Sequence, residues 1–177
     1  MGVQGGWGHW EASWWWSLVL FAVTIAIHAV GVVLIARLLV RWRSRHPKAA
    51  DGFFDTVPES IAIIVVVALL LGALHAVECT MWAIVYVHIG AFPSVADATL
   101  YSVDSMTTRG STGLEMEKQW RMMGATEAGN GMLLFGISTA FIFSVMQFYN
   151  EHLVFRALPG ASGRPDQDRT AKARVPT

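Results

Sequence analysis

Pro93-Ser94-Val95-Ala96-Asp97-Ala98-Thr99-Leu100-Tyr101-Ser102-Val103-Asp104-Ser105-Met106-Thr107-Thr108-Arg109-Gly110-Ser111-Thr112-Gly113 is the stretch on which the fold turns. Ser94 followed three residues later by Asp97 has the form of a capping box, in which the hydroxyl accepts from a first-turn N–H and the acid reaches back. The pattern predicts a short helix from Val95 to about Thr107. Such a helix is too short to cross a bilayer, and Ala98, Leu100, Tyr101, Val103 and Met106 make it too apolar to lie in water. A re-entrant helix meets both conditions, because non-spanning backbone is tolerated at membrane depth only inside protein or beside an aqueous cavity. The polar run from Thr107 to Gly113, with glycines at 110 and 113, is unsuited to contact with lipid.

Working outward, the flanking sequence supplies long apolar runs. Trp14 to Ala36 carries no charged residue over 23 positions, more than the roughly 20 a helix needs to cross the hydrocarbon core. A second run begins near Pro58, where a proline suits a first helical turn, and extends to about Tyr86. A third, Gly131 to Phe148, is extended upstream by Met122 to Asn130 and ends before Arg156. The chain is 54% hydrophobic and only 15% charged, against about a quarter charged in a soluble domain. Its formal net charge of zero gives no broad basic surface for nucleic acid.

The charges are segregated between the runs. Arg37, Arg41, Arg43, Arg45 and Lys48 lie within twelve residues of one another, and the positive-inside rule puts them in the cytoplasm. The amino terminus is then outside and the carboxyl terminus inside, as the basic residues of the tail agree. Met1 to Ser13 has no Lys or Arg and is rich in Gly and Trp, which predicts an uncleaved first span rather than a signal peptide. Trp7, Trp10, Trp14, Trp15 and Trp16 at its start suit the headgroup level. Three regions follow: residues 1–50, a transmembrane helix and basic cytoplasmic loop; 51–155, two spans around the re-entrant segment; and 156–177, a disordered cytoplasmic tail.

Chemistry-bearing residues are few. The one cysteine, Cys79, excludes an intrachain disulfide and reads as a buried, inert thiol. His75 and Glu78 share a helix face at i,i+3, yet two ligands do not make a metal site, and His28 and His88 have no partner at helical spacing. No metal or other cofactor is expected. Glu78 and Glu127 are intramembrane acids, and Arg109 or Arg121 are the candidate partners of Glu127. Glu115 and Glu117 follow the loop as a solvated turn or as acids around a mouth. No nucleophile with a base, phosphate loop or dinucleotide fingerprint appears, so an enzyme is not expected.

Span, short helix, Thr-Thr-x-Gly loop, span resembles the two-helix pore domain of bacterial potassium channels, over Pro58 to Tyr149. His75-Ala76-Val77-Glu78 and Trp82, Ala91-Phe92-Pro93-Ser94, Leu100-Tyr101-Ser102, Trp120-Arg121, Glu127-Ala128-Gly129-Asn130-Gly131 and Phe135-Gly136 carry it in order and spacing. The resemblance implies an all-α membrane protein with three transmembrane helices, a pore helix and a filter-like loop, assembled as a homotetramer in the plasma membrane among lipid. It makes Thr107, Thr108, Arg109, Gly110, Ser111, Thr112 and Gly113 the ion pathway, Asp104, Glu78 and Glu127 its support, and Gly131 and Gly136 candidate gating hinges or packing positions.

Matched without gaps, the family's Thr-Val-Gly-Tyr-Gly falls on Thr108 to Thr112, and only Thr108 and Gly110 keep the pattern. Ser111 removes an aromatic, and Thr112 stands where glycine admits positive φ. The expected function is therefore passive movement of monovalent ions, cations with altered potassium selectivity. Arg109 has two orientations open to it: paired with Asp104 behind the loop, or turned inward as a cationic ring. Alternatives are a non-conducting structural or regulatory subunit and, more weakly, an ion-coupled transporter.

Overall fold

Four helices follow one another in the computed structural model, which describes residues 6–45, 53–110 and 113–157: α1 (Gly6–Arg45), α2 (Phe53–His88), α3 (Val95–Met106) and α4 (Arg121–Ala157). There is no strand among the described residues. Three helices are long and apolar enough to cross a membrane, over Ser13–Arg45, Pro58–His88 and Arg121–Phe148. At about 1.5 Å per residue α3 reaches only about 18 Å, well short of a bilayer core of about 30 Å.

The elements differ from the sequence expectation mainly at their ends. α2 starts a turn before Pro58. The proline's missing N–H would have bonded four residues back, to Phe54, so the lost bond falls next to the free end, where it costs least. α3 ends at Met106 with Thr107 as its cap. α4 continues through Arg156 to Ala157 rather than stopping before them. The expected tail beyond Ala157, Lys48, and Ser111 and Thr112 of the loop lie outside the described residues, as do the side chains of Trp7 and Trp10.

α1 shows why the bundle closes as it does. Ser13, Ser17, Leu20, Thr24, His28 and Ile35 are buried and recur every three or four residues where successive, while Val19, Val23, Val30 and Val33 point outward. A lipid-facing surface wants the valines, and the polar stripe is sheltered against protein. Ser17 satisfies its hydroxyl on the Ser13 carbonyl, 2.7 Å away, and Thr24 does the same on Leu20. Thr24 also accepts the indole N–H of Trp82 on α2 at 3.2 Å.

Two apolar layers form the core. One gathers Trp82, Tyr86, Phe92, Ala98, Met106, Met123 and Leu134 around α3; the other joins Ile35, Ile63, Val67, Leu71 and Val145 of the three long helices. α3 and α4 meet closely at Gly131, where a Cβ would overlap the carbonyl oxygen of Met106. Gly136, the other candidate hinge, has open space where a Cβ would stand, and α4 is one continuous helix through both.

Candidate functional site

Ser94 caps α3 as its sequence requires: its hydroxyl accepts from the N–H groups of Ala96 and Asp97 at 3.2 and 3.4 Å. The other end decides the loop. The Thr108 N–H bonds the Ser105 carbonyl and the Arg109 N–H bonds the Asp104 carbonyl, each at 2.9 Å, while Thr108 takes a φ of 57°. This pair of bonds around a left-handed residue is a Schellman cap, with threonine where glycine is usual. A β-branched residue in that region is strained, and such strain concentrates at functional sites. Beyond it Gly110 and Gly113 take φ of 80° and 85°.

In this motif the residue after the left-handed one lies over the residue three from the helix end, and the two side chains usually make an apolar contact. Here they are Arg109 and Asp104. Arg109 Nε lies 3.1 Å from Asp104 Oδ1, with the Asp104 side chain 2% exposed and that of Arg109 60%. Of the two orientations open in the sequence, the described chain has the paired one, and the helix cap supplies its cause. Thr107, Thr108, Arg109 and Gly110 are all exposed.

Glu127 is not paired with Arg109 or Arg121, as the sequence had allowed. It is wholly buried among α2, α3 and α4, where Tyr86 Oη donates to Oε2 at 2.6 Å and Ser102 Oγ contacts Oε1. Ser102 Oγ also lies 2.9 Å from the Cys79 carbonyl. Two hydroxyl hydrogens cannot fill three contacts, so the chain closes only with a proton on Glu127 that it gives to Ser102. Arg121 instead donates Nε–H to the Met116 carbonyl at 3.3 Å and lies 3.6 Å from Glu115. Glu117 accepts from Gln119 at 2.7 Å. Cys79 is buried, its thiol 3.5 Å from Met106 Sδ.

A second polar centre joins α1, α2 and α4. Glu78 holds two histidines, His28 Nδ1 at 2.9 Å from Oε1 and His75 Nδ1 at 3.1 Å from Oε2. The Nε2 atoms of His75 and His28 both meet Ser138 Oγ, at 3.1 and 3.2 Å. His28 was one of two histidines, with His88, that helical spacing left without a partner; its partner Glu78 is 50 residues away. No protein-family model matches this chain, and neither a curated protein nor a solved structure does.

Proposed function

We propose that the chain is a subunit of a pore in the plasma membrane, with four copies around a pathway bordered by residues 107–113, passing monovalent cations with altered potassium selectivity. One observation carries this reading: a helix too short to span, packed between two spans, ends in a strained cap that delivers a polar loop with left-handed backbone. The outer face of that helix, with Val95 at 61%, Leu100 at 46% and Val103 at 41% exposed, needs cover that one chain does not give. Neighbouring copies around a fourfold axis would supply it. The arginines Arg37, Arg41, Arg43 and Arg45, which the structure puts on the last turns of α1 rather than in a loop beyond it, support an outside amino terminus and a cytoplasmic carboxyl terminus through the positive-inside rule.

The exposed guanidinium of Arg109 favours a second reading, a non-conducting subunit. Four such groups near one axis would repel cations even while each keeps its Asp104. Purified protein in liposomes separates the two. The pore reading expects crosslinking to a ladder ending at four, with potassium and sodium flux above empty vesicles and little chloride flux. A stable monomer in mild detergent overturns it, and a tetramer without flux establishes the second reading.

Arg109 tests the loop further. Arg109→Leu strands a buried carboxylate and should cost about 2–3 kcal/mol of stability, whereas Asp104→Asn, which leaves a guanidinium free to hydrate, should cost under about 1 kcal/mol. The double variant should be less stable than wild type by less than the sum. Additive effects in the thermal unfolding of all three variants would show that the contact contributes nothing.

A further inference from the structure

The centre around Glu78 has more ionisable groups than helix packing needs. A carboxylate and two imidazoles lie inside the apolar span of the bundle, with His28 and Glu78 fully buried and the His75 side chain 12% exposed. The Glu127 centre shows that neutral hydroxyls and one acid suffice to tie three helices together. Ionisable groups at this depth are costly and ordinarily carry function.

We propose that His28, His75 and Glu78 bind one divalent transition-metal cation of the zinc class, with Ser138 orienting both imidazoles. One candidate ligand atom from each of the three residues lies within 4.8 Å of the others. Zinc holds nitrogen at about 2.0–2.1 Å and carboxylate oxygen at about 2.0–2.2 Å, so neighbouring ligands of a tetrahedral ion stand roughly 3.3 Å apart. His28 Nδ1 meets Glu78 Oε1 at 2.9 Å and His75 Nδ1 meets the other oxygen, Oε2, at 3.1 Å, so both imidazoles already stand on the carboxylate that would share the ion. Two imidazoles with one carboxylate suit zinc, cobalt or iron, whereas magnesium and calcium prefer all-oxygen surroundings. Three protein ligands leave a fourth position for water or a small anion.

Hydrogen counting makes the role of Ser138 specific. Without metal the ring has four contacts, each imidazole reaching Glu78 with Nδ1 and Ser138 with Nε2. With metal on both Nδ1 atoms and a Glu78 oxygen, each imidazole keeps only its Nε2–H. Ser138 Oγ has two lone pairs, enough to accept both, and its own hydrogen turns to a carbonyl of the preceding helical turn. A partner on the far ring nitrogen is the usual support of a metal-bound histidine.

The test uses the full-length, tag-free protein in detergent, stripped with chelator and dialysed against Zn²⁺, Co²⁺ or Mg²⁺. The expected result is one retained Zn²⁺ per chain by elemental analysis, a tetrahedral ligand-field band with Co²⁺, and no retained Mg²⁺. Glu78→Gln preserves the ring, because its amide oxygen accepts from one histidine and its N–H donates to the other. It should fold yet bind Zn²⁺ at least about 100-fold more weakly, having lost the anionic ligand. Ser138→Ala keeps all three ligands and should weaken binding by about 10–100-fold. No retained Zn²⁺, no Co²⁺ band, or equal retention by Glu78→Gln leaves only a hydrogen-bonded ring and overturns the proposal. Should Glu78→Gln fail to fold, the wild-type Co²⁺ spectrum decides. None of these measurements depends on ion flux.

Discussion

Glu78 and Glu127 are both fully buried and each contacts two side chains, Glu127 one on each of two neighbouring helices and Glu78 one on α1 and one on its own helix, and yet they are built from opposite materials. Glu127 ends a linear chain: Tyr86 and Ser102 are its partners, and the chain stops at the Cys79 carbonyl. Glu78 sits in a closed ring with two imidazoles and a serine. The linear chain contains no nitrogen ligand and ties α3 to α2 and α4. The ring offers two imidazoles beside its carboxylate, and ties α1 to α2 and α4. One centre fixes the short helix in place; the other attaches the extra span and contains chemistry that packing does not demand.

The largest effect should come from removing the acid of the ring. Glu78→Ala leaves two imidazoles facing each other in an apolar interior and should cost about 3–5 kcal/mol, the range for stranding one side of a buried ionic contact. Glu127→Ala deprives only neutral hydroxyls and should cost about 1–3 kcal/mol. Thermal unfolding in one detergent, followed by tryptophan fluorescence, measures both. Equal losses would mean that the two centres do not differ in charge.

A steric change should then act on one centre alone. Gly131 lies one turn beyond Glu127, and its Cα faces the Met106 carbonyl with no room for a Cβ. Gly131→Ala forces α3 and α4 apart and should cost about 1–3 kcal/mol, while Gly136→Ala, which meets nothing within 4 Å, should stay within about 0.5 kcal/mol of wild type. Zn²⁺ binding at the ring should survive the first change. Equal stability of the two variants would place the contact between α3 and α4 elsewhere.

The long helices and the start of α3 were legible because apolar run length and a serine N-cap are local signals. The Arg109 and Asp104 contact was also within reach, being five residues apart at a helix end. What made it definite was the left-handed turn at Thr108, a conformation that a β-branched residue does not advertise. His28 was missed because periodicity compares residues on one helix. Depth would have found it: His28 lies fifteen residues past Ser13 and His75 thirteen before His88, about 22 and 20 Å from the adjoining ends of antiparallel spans. Glu127 was assigned to arginines because an intramembrane acid invites a cation; two hydroxyls and a proton answered the same need.

That substitution of a proton for a cation yields the smallest predicted effect. If Glu127 carries a hydrogen, an amide should replace it with little loss. Glu127→Gln can accept the Tyr86 hydroxyl on its oxygen and donate an N–H to Ser102, which still donates to the Cys79 carbonyl. Only the second amide hydrogen is left to find a partner, so the loss should stay under about 1 kcal/mol. An ionised Glu127 predicts otherwise, since Ser102 would then give its one hydrogen to the carboxylate and leave the Cys79 contact unfilled. The amide would force Ser102 to reverse that bond, and the carbonyl-stretch spectrum of the protein would lose no protonated-carboxyl band. Infrared difference between wild type and Glu127→Gln therefore decides: loss of a protonated-carboxyl band with nearly unchanged stability supports the neutral chain. Absence of that band, or a stability loss matching Glu127→Ala, would put a charge at Glu127 and erase the contrast with Glu78.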